Sequence, residues 1–62
     1  MINLVALKPG DTVQLKDGST GEVVENPQDG MWIMIRYIVS PADPDLVGTE
    51  ELCHAEQVAD AG

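Results

Sequence analysis

Turn-forming residues recur about every six to ten positions along this chain of 62 residues, and no stretch between them has room for a helix of ordinary length. Pro9-Gly10-Asp11 opens the first turn. Thr12-Val13-Gln14-Leu15-Lys16 then alternates strictly, Val13 and Leu15 to one side and the polar residues to the other, as in a strand with one buried face. Asp17-Gly18 signals a tight hairpin, because both residues tolerate the positive φ such a turn demands. Residues 21–26 (GEVVEN) read as a second strand with Val23 inward. Asn26-Pro27-Gln28-Asp29-Gly30 turns again, and residues 31–38 make the third and longest strand. The segment 40–48 (SPADPDLVG) holds two prolines, which lack a ladder donor and fix φ, so it is predicted to be a loop ordered only in part. Residues 49–54 (TEELCH) read as a fourth strand with Leu52 as its core residue. Ala55-Glu56-Gln57-Val58 suits a single 3₁₀ turn leading into a brief last strand at Val58. Five strands so spaced predict an all-β fold, a small five-stranded barrel. It forms one domain, with residues 1–8 leading in, 9–58 making the barrel and 59–62 fraying.

The third strand breaks the alternation. In GMWIMIRYIV, Met31, Ile33, Ile35 and Tyr37 lie on one side and Trp32, Met34 and Ile38 on the other, with Arg36 the only charge. Removing a guanidinium from water is costly, so Arg36 should face solvent. Ile33, Ile35 and Tyr37 then line the core, and Trp32, Met34 and Ile38 are left on the outer face. Three things could cover them: another protein molecule, the chain's own segment 42–47, or a small ligand in a groove. The first is favoured. A chain this short buries only about 60% of its unfolded surface and needs a supplement. Cys53 is the only cysteine, so no internal disulfide supplies it. Trp and Met are also enriched at interfaces. Trp32, Met34 and Ile38 are the candidate interface residues, and a homo-oligomer or another protein is the expected partner.

The formal charge of −8, eleven acidic residues against Lys8, Lys16 and Arg36, argues against nucleic acid and against an anionic membrane surface. It favours solubility and attraction to a basic partner. Residues 1–7 (MINLVAL) are apolar but too short for a signal peptide and lack its basic start, and no run approaches bilayer length. A lone thiol with no targeting segment suits a reducing cytoplasm.

Chemistry finds little footing. Cys53 and His54 are sound zinc ligands, but His54 is the only histidine and no second pair stands at metal-site spacing. Neighbours on a strand point to opposite faces, which separates Cys53 from His54 as nucleophile and base, and Glu50 from Glu51 as an acid–base couple. Asp43 and Asp45 are too common a pair to indicate calcium. No catalytic, cofactor-binding or metal residues are predicted, and the chain is not expected to be an enzyme.

Lys8-Pro9-Gly10-Asp11-Thr12-Val13-Gln14-Leu15-Lys16-Asp17-Gly18, followed by Gly21-Glu22-Val23-Val24, resembles the opening of SH3-like barrels of the KOW kind. Glu51 to Val58 is similar to their closing segment, a strand, a 3₁₀ turn and a final apolar residue. The likeness spans about fifty residues and extends to small uncharacterised bacterial barrel proteins of this layout. It implies a fold rather than an activity, since such barrels serve many purposes. The layout also resembles the plasmid-borne, tetrameric SH3-like dihydrofolate reductase. That family's pore relies on a Val-Gln-Ile-Tyr stretch, where this chain has Thr49-Glu50-Glu51-Leu52, so the resemblance carries over association but not catalysis. Two functions follow as expectations. The first is a non-catalytic, self-associating module. The alternative is an oligomeric barrel with a reductase-like small-molecule site between protomers.

Overall fold

A computed structural model describes residues 4–61. Five antiparallel strands, β1 (Thr12–Leu15), β2 (Thr20–Glu25), β3 (Trp32–Val39), β4 (Glu50–His54) and β5 (Val58–Ala61), pair in the order β4-β3-β2-β1-β5 and curl into a half-barrel. Two short 3₁₀ turns, Pro44–Leu46 and Ala55–Gln57, are the only helical pieces among the described residues. The architecture is all-β and compatible with an SH3-like fold.

The alternation read from the sequence sets the core. Val13 and Leu15 of β1, Val23 of β2, and Ile33, Ile35 and Tyr37 of β3 are buried, while Thr12, Gln14 and Arg36 are exposed. The hairpin from β1 to β2 turns at Asp17-Gly18. Gly18 has φ +91°, and Asp17 Oδ1 accepts the Ser19 N–H at 2.8 Å. Gly21 meets a different demand. The β2–β3 register shifts between Thr20 and Gly21, and a Cβ at Gly21 would stand 2.8 Å from Ile35 Cδ1. Only a residue without a side chain lets β2 bend this closely over β3.

Four features differ from expectation. Leu52 is not a core residue: it is 60% exposed, and Cys53 takes the inward position instead, opposite Ile33 on β3. Met31, on the inward side by parity, precedes β3 and is exposed. Asp60 and Ala61, read as fraying, pair with Gln14 and Val13 of β1; Gly62 lies outside the described residues. The leading segment joins the core through Leu4 and Leu7, and Asn26 Nδ2 donates to the carbonyls of both, each at 2.8 Å.

The proline-bearing segment is held at several points. Asp43 Oδ1 accepts the Asp45 N–H at 3.2 Å, Thr49 Oγ1 donates to the Leu46 carbonyl at 2.6 Å, and the Gly48 N–H donates to the Tyr37 carbonyl at 2.8 Å. Leu46 packs against the core.

Burial sets the thiol chemistry. Cys53 is pushed up to about 11 from an ordinary 9.0, chiefly because a thiolate there would lose its water, with the Asp17 charge adding to it. The phenol of Tyr37 is raised in the same sense, first by burial and then by the neighbouring carboxylates of Glu51 and Asp17. Both groups hold their protons more tightly folded than unfolded. The contribution of Cys53 is therefore intact below about pH 9 and is lost as pH rises towards about 11, and that of Tyr37 is lost in the same direction, above its ordinary value of 10.0. The melting temperature should fall across that window, and fall less in Cys53→Ala. The thiol should also ignore Ellman's reagent at pH 8 until the fold opens. Prompt labelling of the native protein at pH 8 would contradict this placement.

Candidate functional site

The outer face of β3 and β4 is built by parity. Even-numbered residues of β3 point away from the core, and the register sets Trp32 opposite His54, Met34 opposite Leu52 and Arg36 opposite Glu50. Trp32 is 39% exposed, and its ring meets His54 edge-on, with centroids 4.7 Å apart and planes at 81°. Met34 is half-buried beside the exposed Leu52, so Trp32, Met34 and Leu52 form one apolar strip running to the open side of β4.

An ion cluster bounds that strip. Arg36 Nη2 donates to Glu50 Oε2 at 2.7 Å, and Arg36 Nη1 stands 3.9 Å from Glu22 Oε1 on β2. Each partner is well exposed, so the cluster adds about 0–1 kcal/mol of stability. Its effect is positional: it fixes the Arg36 guanidinium between two carboxylates and divides the apolar face. Ile38 and Val39, 43% and 49% exposed, lie beyond it.

The three candidate interface residues thus share the outer face, with Trp32 and Met34 on one side of Arg36 and Ile38 on the other. The segment 42–47 sends Leu46 to the core, and Trp32 and Ile38 stay exposed, while Met34 is half-buried. Leu52 belongs to the surface and was missed. The local pattern offers Leu52 and Cys53 on opposite faces, and leucine's greater hydrophobicity points to the wrong one.

The entry to this face is also ordered by side chains. Asp29 Oδ1 accepts the N–H groups of Met31 at 2.8 Å and Trp32 at 3.0 Å, which holds its carboxyl below the usual carboxylate range. At the far end of β4, His54 caps the second 3₁₀ turn. Its Nδ1 accepts the Glu56 N–H at 3.1 Å, and its own N–H donates to Gln57 Oε1 at 2.9 Å.

Cys53 and His54 are split by the pleat. The thiol lies inward and donates to the His54 carbonyl at 3.6 Å, while the imidazole lies outward against Trp32. Among the described residues no three His, Cys, Asp or Glu side chains come together as a metal would require, and no helix is long and apolar enough to cross a membrane. A groove of about 240 Å³ is lined by Leu15, Lys16, Asp17, Tyr37, Glu56 and Gln57. Its charges are mixed, and the Lys16 N–H is already engaged by the Gln57 carbonyl at 2.9 Å.

Compared with protein-family models, with curated proteins and with solved structures, the chain finds no match in any of the three.

Proposed function

We propose that this chain is a small, non-catalytic SH3-like module of the cytoplasm that acts by protein–protein association, first of all with copies of itself, through the outer face of β3 and β4. One observation carries the reading: Trp32, Met34 and Leu52 form a contiguous apolar strip that leaves Trp32 and Leu52 exposed, and no other strand among the described residues lies over it. Burying a fully exposed apolar side chain contributes about 1.5–3 kcal/mol, and these three, already partly buried, would each gain a fraction of that. The sum still counts beside the few kcal/mol a core of this size supplies. Contiguous apolar side chains rimmed by charge are a feature of interaction surfaces. The SH3-like, KOW-like assignment draws on the strand order, the 3₁₀ turn before β5 and the residue pattern at 8–18.

Trp32→Glu tests the surface. Trp32 is partly exposed, so the variant should keep the wild-type far-ultraviolet circular dichroism while its light-scattering mass drops to that of a monomer. Identical masses for variant and wild type would count heavily against the proposal. Because each copy carries −8, association should tighten as salt rises from about 20 to about 200 mM, where screening shortens the reach of like-charge repulsion.

A further inference from the structure

The strip ends at an edge of the sheet. Among the described residues β4 pairs only with β3, and the bonds that bracket the ladder, Tyr37 N–H to the Thr49 carbonyl at 2.9 Å and Ala55 N–H to the Met31 carbonyl at 2.8 Å, fix its phase. The odd residues of β4 bond to β3, so Glu50, Leu52 and His54 turn their main-chain groups to the open side. The His54 N–H is taken by Gln57 Oε1, which leaves the N–H groups of Glu50 and Leu52 and the carbonyls of all three facing outward. A flat edge with an exposed leucine at its centre is a ready template for another strand.

We infer that two copies join at this edge, β4 against β4, antiparallel about a two-fold axis at Leu52, to make one continuous sheet of ten strands. The inference rests on the self-association proposed above and places the contact at the border of that face; the pairing joins the two apolar strips side by side and leaves their outer surface open.

Side-chain chemistry selects the register. Centred on Leu52, the pairing sets Leu52 against Leu52, and Glu50 of each copy faces His54 of the other. The His54 Nδ1 is occupied by the Glu56 N–H, so the imidazole has Nε2 free to donate to that carboxylate. Arg36 already holds Glu50 from behind, and each side of the seam then reads arginine, carboxylate, imidazole, indole across the sheet. Between the two rows runs a stripe of Met34, Leu52 and their symmetry copies. Other registers lose this match. Centring on Glu51 sets two like charges face to face, and centring on Cys53 sets Leu52 against His54 and leaves Glu50 opposite the 3₁₀ turn, beyond the partner strand.

Amide hydrogen exchange on the wild-type protein tests the seam at low micromolar and millimolar concentration, with the oligomeric state measured on the same samples. The Leu52 and Glu50 amides should exchange at least tenfold more slowly in the concentrated sample. Those of Glu51 and Cys53, bonded to β3 in either state, should not change. Association with Leu52 and Glu50 unslowed would overturn the edge pairing while leaving the self-associating face intact. A monomer at every concentration would overturn both.

Cross-linking checks the register independently. Leu52→Cys in a Cys53→Ala background should form a disulfide dimer under mild oxidation at least tenfold faster than Ile38→Cys in the same background, since Cα atoms of a bonded cross-strand pair lie about 5.5 Å apart. Equal rates, or faster linkage at position 38, would refute the axis at Leu52.

Discussion

Asn26→Asp should leave the chain largely unfolded at 25 °C. Asn26 stands just beyond β2, and its Nδ2 donates to two carbonyls, Leu4 and Leu7, while its Oδ1 accepts the Gln28 N–H, all at 2.8 Å. One amide group thereby ties the leading segment over the core and closes the turn into β3. Aspartate has the same shape and keeps the acceptor, but it replaces two donated hydrogens with an oxygen facing two carbonyl oxygens. Each orphaned acceptor costs about 1–3 kcal/mol, and the added repulsion has no compensating partner. Asn26→Ala, which removes the donors without the repulsion, should fall between the aspartate variant and wild type in a urea melt. A midpoint for Asn26→Asp within about 0.5 M urea of wild type would show that residues 4–7 are not anchored in this way.

Ile33→Ala should be comparably damaging, and Leu52→Ala close to silent for folding. Ile33 is wholly enclosed at the centre of β3, opposite Cys53, and truncating a buried isoleucine to alanine costs about 2–5 kcal/mol through lost burial and the cavity left behind. Against the few kcal/mol of a core this small, that suffices to shift the equilibrium to the unfolded state. Leu52 loses the same class of group from an exposed site, so its removal should change stability by less than about 0.5 kcal/mol. Its effect should fall on association instead. Equal denaturation midpoints for the two variants would mean that the inward parity of β4 is wrong.

That parity marks the limit of what the sequence disclosed. β1, β2 and β3 were legible because their alternation is internally anchored: Val13 and Leu15 are flanked by polar residues, and a single arginine orients all of β3. The outward positions of Trp32, Met34 and Ile38 followed from Arg36 alone. In β4 the local pattern offers Leu52 and Cys53 on opposite faces, and hydrophobicity points to the leucine. The choice is made by the pairing of Cys53 with Ile33 and by the 3₁₀ turn that buries Ala55, both tertiary facts. The anchoring of Leu4 and Leu7 was equally hidden, since the amide that holds them lies 22 and 19 residues away. The pairing of Asp60 with β1 depends on where the second 3₁₀ turn aims the chain, which composition does not encode.

Sedimentation equilibrium of the unmodified protein, from low micromolar to millimolar concentration at moderate salt, addresses the central claim most directly. If a second copy completes the bare edge of β4 at the border of the outer face, the weight-average mass should climb from that of one chain towards twice that value and level off there. A mass that stays at one chain throughout would mean that this edge is left to water.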